Sequence, residues 1–155
     1  MLQIDTSLTK QENFLKGQVL LVDKPLEWTS FDLVKKIRNQ IKIKKIGHAG
    51  TLDPLATGLM ILCTGKKTKS IEDYMGQEKE YTGCISIGQT TPTFDLESDL
   101  SPMQDISVIT QEALEMARAK LTGQIEQLPP IHSAIKVNGK RMYELARKGE
   151  KVTPK

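Results

Sequence analysis

The sequence predicts a mixed fold of helices and strands, and three observations carry that expectation. Short β-rich runs at 17–22 and 59–63 read as strands. Between and after them lie segments with helical spacing and recognisable caps, at 30–41 and 110–121. Gly, Pro and Asn-Gly punctuation separates the runs at 47–54, 129–130 and 138–139. The chain has 155 residues, 38% of them hydrophobic, which is enough for a sizeable core. No internal repeat or low-complexity tract interrupts it.

The elements follow in order. Residues 1–16 show no clear period and read as a short extension. Residues 17–22 (GQVLLV) form a strand that Asp23-Lys24-Pro25 ends, because proline cannot continue a central ladder. Thr29 is in N-cap position with Asp32 three residues on, a capping-box arrangement. Phe31, Val34, Ile37 and Ile41 then fall at helical spacing as an apolar stripe, with Lys35, Lys36, Arg38 and Lys42 on the solvent side. Residues 47–54 are too rich in Gly and Pro for a regular element.

Residues 59–63 read as a buried strand closed by Thr64-Gly65, and 68–75 as a short helix. Residues 79–87 read as a strand, with Tyr81, Ile85 and Ile87 among its apolar positions. Residues 90–105 form a loop. Thr110 caps a helix to about 121, with Leu114, Ala117 and Leu121 on one face and Gly123 as the stop. Residues 133–137 form a strand leading into the Asn138-Gly139 turn, and 141–148 a basic helix stopped by Gly149.

Composition removes several function classes. No apolar run approaches the roughly 18 residues that a membrane-spanning helix needs. The polar first 16 residues carry Asp5 and Glu12 and resemble neither a secretory signal nor a transit peptide. Cys63 and Cys84 stand alone, without metal-ligand spacing or a disulfide framework, which fits a reducing, cytoplasmic setting. The net charge is only +3, but it is segregated: residues 1–70 carry +6, 71–117 carry −9 and 118–155 carry +6. Two basic blocks folded onto one face would favour a polyanion.

The densest unusual segment is GHAGTLDPLATG, residues 47–58. Three glycines allow a ligand to approach the backbone, and Pro54 drives Asp53 towards an extended conformation. Other chemistries fail on spacing. There is no Walker phosphate loop, no G-x-G-x-x-G and no nucleophile elbow, and neither His48 nor His132 has a partner at zinc spacing. What remains is an acid on a glycine-rich loop flanked by basic sequence, suited to act on an electrophilic centre in a polyanionic substrate.

These residues resemble a known family. VDKP (22–25), GHAGTLDPLATG (47–58), KEY (79–81) and LPPIHSAIKVNGKRMYELARKGE (128–150) are similar to the bacterial tRNA pseudouridine-55 synthases, the TruB family. The resemblance covers nearly everything from residue 17 onward. It implies the pseudouridine synthase fold: α+β, with a predominantly antiparallel mixed sheet flanked by helices and loops. It also implies that residues 17–155 are the N-terminal part of the catalytic domain, after an extension at 1–16. The later part of that domain, with an arginine that pairs with the catalytic aspartate, and the family's small C-terminal RNA-binding domain are expected to lie outside this sequence.

The resemblance further implies a role for each matching residue. Asp53 is the catalytic carboxylate, Tyr81 stacks on a flipped uracil, and His48 fills the gap that the base leaves. Lys24 supports the site from beneath, and Gly50 belongs to the same loop. Residues 128–152 form a segment that clamps the T-loop stem, with Lys136, Lys140, Arg141, Tyr143, Arg147 and Lys148 facing RNA. Lys66, Lys67 and Lys69 form a second basic cluster. The implied partner is tRNA, bound through its T-stem-loop by a monomer, with no cofactor and no metal. The alternative is a non-catalytic tRNA-binding or tRNA-folding module that keeps the clamp without the completed pocket.

Overall fold

The computed structural model describes residues 4–128 together with 136, 137, 139–142 and 145. They form two compact units, Met1–Gly83 and Cys84–Lys155. The fold is mixed α+β, as the sequence predicts.

The first unit is built on three strands: β1 (Val19–Lys24), β2 (Ile46–Ala49) and β3 (Gly58–Thr64). The order is β1-β3-β2, and both pairings are antiparallel. β3 is central because its run Leu-Met-Ile-Leu-Cys is apolar on both faces; Met60, Leu62 and Cys63 are buried. Register sets Lys24 opposite Gly58, and His48 opposite Leu62. Helix α2 (Ser30–Ile41) covers one face of this sheet. Leu33 and Val34 pack against Met60 and Leu62, with Leu20, Val22, Ile37, Ile46 and Leu52 around them. Each such side chain contributes about 1.5–3 kcal/mol when fully buried.

The capping box at the start of α2 is present. The Thr29 hydroxyl accepts from the Asp32 backbone N–H at 3.0 Å, and the Asp32 carboxylate accepts from the Thr29 N–H at 3.1 Å. The Thr29 hydroxyl also donates to the Asp32 carboxylate, and this bond first, with the one from the Thr29 N–H second, holds the Asp32 carboxyl below its ordinary pKa. The buried stripe is shifted from the expected one. Leu33 joins Val34 and Ile37, whereas Phe31 is 64% exposed, because the sheet meets α2 nearer Leu33.

Three expectations need correction in this unit. Residues 1–16 contain helix α1 (Lys10–Lys16), opened by a Thr9/Glu12 capping box. Seven residues are too few to show a period, so the box is its main signal. Gly65 lets this helix seat closely: its φ is +51°, and a Cβ there would lie 2.1 Å from the Leu15 carbonyl oxygen. Residues 46–49 are a strand despite their glycine. Gly47 sits on the sheet edge where a Cβ would meet Ile71 Cδ1 at 2.7 Å, so its missing side chain permits the packing. The expected helix at 68–75 is a 3₁₀ turn, Gly65–Ser70, followed by α3 (Ile71–Met75).

The expected strand at 79–87 is absent. These residues are exposed and join no ladder, and a strand without a partner leaves its backbone to water. In the second unit, Thr110 caps α4 (Gln111–Lys120) through a 3.2 Å bond from the Ala113 N–H. The helix buries none of its residues, so the Leu114, Ala117 and Leu121 face is exposed. A hairpin of β4 (Lys136–Val137) and β5 (Lys140–Arg141) turns through Gly139, whose φ is +81°. Arg141 is therefore strand rather than helix, and Met142 and Leu145 are helical and buried. Among the described residues, no helix is long and apolar enough to cross a membrane.

Candidate active site

The glycine-rich segment spans the connection from β2 to β3, and residues 50–57 close over the end of β1 and the start of α2. Buried groups on those two elements hold it. Ser30, the first residue of α2, is 4% exposed. Its hydroxyl accepts from the Leu52 N–H and donates to the Leu52 carbonyl, each at 3.0 Å. The Leu52 side chain also packs against the core.

On the other side of Asp53, the Pro54 carbonyl accepts from the Glu27 N–H at 2.8 Å and from the Lys24 ammonium at 3.2 Å. Lys24 is fully buried. A buried ammonium is costly unless its protons are satisfied. Here its three donors meet three carbonyls: Pro25 at 3.0 Å, Trp28 at 2.6 Å and Pro54. It thus ties the 25–28 turn to the Asp53 loop. Glu27 holds a φ of +66°, which this double tie sustains.

Asp53 lies between the two tethers. Its own carbonyl accepts from the Ala56 N–H at 3.0 Å, which closes a turn through Pro54. Its carboxylate is exposed and makes no hydrogen bond or ion pair among the described residues. The loop therefore has a fixed backbone and a free acid. Both acceptor oxygens remain open to an incoming group.

His48 sits half-buried on β2, and its Nδ1 bonds the Gly50 carbonyl. A carbonyl only accepts, so Nδ1 carries the proton there. Gly50 has φ +97°, and a Cβ would meet nothing within 4 Å, so the backbone is open on that side. Asp53, Gly50, His48 and Lys24 thus belong to one local assembly.

The other expected residues are placed differently. Tyr81 is 72% exposed on the unpaired run after α3, without a hydrogen bond among the described residues. Lys66, Lys67 and Lys69 are exposed on the 3₁₀ turn. The backbones of Lys136, Lys140 and Arg141 form the β4–β5 hairpin, whereas Tyr143, Arg147 and Lys148 lie outside the described residues. Two open depressions run along α2. One is lined by Arg38, Asn39, Lys42, Ile43 and Lys44, the other by Glu27, Trp28, Asp32, Lys35, Lys36 and Asn39. Asp53 lines neither.

Sequence reasoning missed Ser30. It stands beside a cap residue and looks like ordinary helix-start chemistry, while its partner is 22 residues away. Cys63 offers no rival nucleophile. Burial pushes its thiol pKa up, and nearby Lys67 only partly opposes this. No group of three metal-ligating side chains occurs among the described residues.

Comparison with known proteins gives a consistent answer. Residues 38–155 match the N-terminal domain of the TruB family of pseudouridylate synthases. The chain is 54% identical over 146 residues to the tRNA pseudouridine synthase B of Phocaeicola vulgatus, covering 90% of this chain and 62% of that protein. It is 52% identical to the corresponding protein of Parabacteroides distasonis, with the same coverage. The Flavobacterium johnsoniae protein is 49% identical over 148 residues, with 91% and 65% covered. The chain thus spans somewhat under two thirds of the length of these relatives. On the strength of the domain match and these identities, the chain belongs to the TruB family.

Proposed function

We propose that this protein is a tRNA pseudouridine synthase that isomerises a uridine in the T-loop, the pseudouridine-55 site, with Asp53 as the reacting carboxylate. The observation that supports this most is the Asp53 loop. Its backbone is tethered on both sides, and its acid is exposed and unpaired among the described residues. A free carboxylate on a fixed loop suits covalent or proton-transfer chemistry at a sugar or base. The relatives this chain matches, tRNA pseudouridine synthases B, agree with this reading.

The reaction is an isomerisation. The N1–C1′ bond breaks, the uracil turns, and a C5–C1′ bond forms. The C5 proton leaves to solvent and N1 gains one, so no electron acceptor or group donor is required. The target base must leave its stack to reach Asp53. Tyr81 would stack on it, worth about 1–3 kcal/mol. His48 would occupy the vacated space. Lys66, Lys67, Lys69 and the basic residues of 136–148 would meet phosphates of the T-stem, making binding salt-dependent. The setting is the cytoplasm, where tRNA is modified.

The test uses tRNA transcripts tritiated at uridine C5 and the full-length protein. Tritium release of one equivalent per tRNA is expected, and none from a transcript with cytidine at position 55. Release that persists with the cytidine transcript would overturn the T-loop assignment. Salt-dependent binding without any release would favour the non-catalytic tRNA-binding module.

A further inference from the structure

The geometry points to Ser30 as a positioning residue that orients Asp53 through the peptide preceding it; the inference rests on the role proposed for Asp53. The Leu52 carbonyl and the Asp53 N–H belong to one peptide plane. The Ser30 hydroxyl donates to that carbonyl at 3.0 Å, so it fixes the plane next to the Asp53 Cα. The same oxygen accepts from the Leu52 N–H at 3.0 Å, which fixes the preceding peptide as well. One hydroxyl has a single proton and two lone pairs, so both bonds form at once. Met60 Sδ lies 3.7 Å away as a weaker alternative acceptor.

Three features make this more than local packing. Ser30 is 4% exposed, so water does not readily replace its hydroxyl. It starts a helix that Thr29 already caps, so its own hydroxyl is free for the loop. The peptides after Asp53 are fixed independently, by Ala56 N–H on the Asp53 carbonyl and by Lys24 and Glu27 on the Pro54 carbonyl. Ser30 supplies the remaining hydrogen-bond constraint, on the N-terminal side, where the Leu52 side chain is otherwise held only by apolar packing. Packing of that side chain does not fix the plane of the Leu52–Asp53 peptide, so without the Ser30 hydroxyl this peptide can rotate and the carboxylate swings with it.

The experiment compares three variants of the full-length protein under single-turnover conditions. Ser30→Ala is expected to slow isomerisation about 10–100-fold, the scale of an ångström misplacement. Its tRNA Kd should stay within about twofold, because Ser30 is buried and its hydroxyl bonds only Leu52 and Met60 among the described residues. Thr29→Ala loosens the same helix start without touching Leu52, and its rate should stay within about threefold of the parent. Asp53→Asn is expected to be inactive. Equal slowing of Ser30→Ala and Thr29→Ala would overturn the inference, as would an unimpaired Ser30→Ala beside a dead Asp53→Asn. An active Asp53→Asn would instead overturn the role of Asp53. Amide exchange at Leu52 in the unsubstituted protein gives a readout independent of variant folding. Protection is expected, and exchange as fast as in an open loop would overturn the tether.

Discussion

The loop that carries Asp53 and the run that carries Tyr81 are held in opposite ways. Around Asp53, a buried hydroxyl and a buried ammonium fix the backbone, and the Leu52 side chain anchors it to the core. Around Tyr81, residues 79–87 are exposed and join no strand ladder. The difference shows where positional accuracy is built into this chain. In the roles proposed for them, an acid that must meet one reacting atom gains from a rigid mount, whereas a ring that stacks on a base tolerates adjustment, because stacking is sequence-tolerant and broad.

Substitutions can break this contrast, and the largest effect is expected at Lys24. Lys24→Met leaves the Pro25 and Trp28 carbonyls without their ammonium partner in a buried site. We expect a loss of about 3 kcal/mol in urea unfolding, with turnover falling alongside. A change below about 0.5 kcal/mol would mean the ammonium is not what holds the loop. Tyr81→Ala should do the reverse. Stability should change by less than about 0.5 kcal/mol, while tRNA binding weakens by about 1–3 kcal/mol, read by filter binding at fixed salt. Equal losses of stability and binding would show that Tyr81 serves packing.

Thr29→Ala should cost about 1 kcal/mol of stability. The smallest effect concerns pH. Asp32 has its pKa lowered in the folded chain, so its contribution is present above the unfolded carboxylate value and fades as pH falls through the folded one. The unfolding midpoint should therefore drop less on acidification in Asp32→Asn than in the parent. Parallel pH profiles would remove Asp32 from that account.

Much of the framework is legible because its signals are local. Thr29 and Asp32 sit three residues apart, and 59–63 is an unbroken apolar run, so the α2 cap and β3 can be read directly. The acid of the candidate site is legible from GHAGTLDP. Its mount is not, because Ser30 meets Leu52 across 22 residues and Lys24 meets Pro54 across 30. Strand β2 is hidden for a related reason. Gly47 reads as a turn residue until its partner Cys63 and its neighbour Ile71 are known. At 79–87 the alternation of Tyr81, Ile85 and Ile87 is real, but strand formation depends on a partner that alternation cannot supply.

The most direct test is Asp53→Asn, which keeps the side chain's shape and removes its charge. The carboxylate makes no hydrogen bond or ion pair among the described residues, so its loss should leave the unfolding midpoint unchanged. Tritium release from the T-loop uridine should fall by at least about 1,000-fold. Retained turnover with an unchanged midpoint would contradict the claim that the tethered loop exists to present this acid.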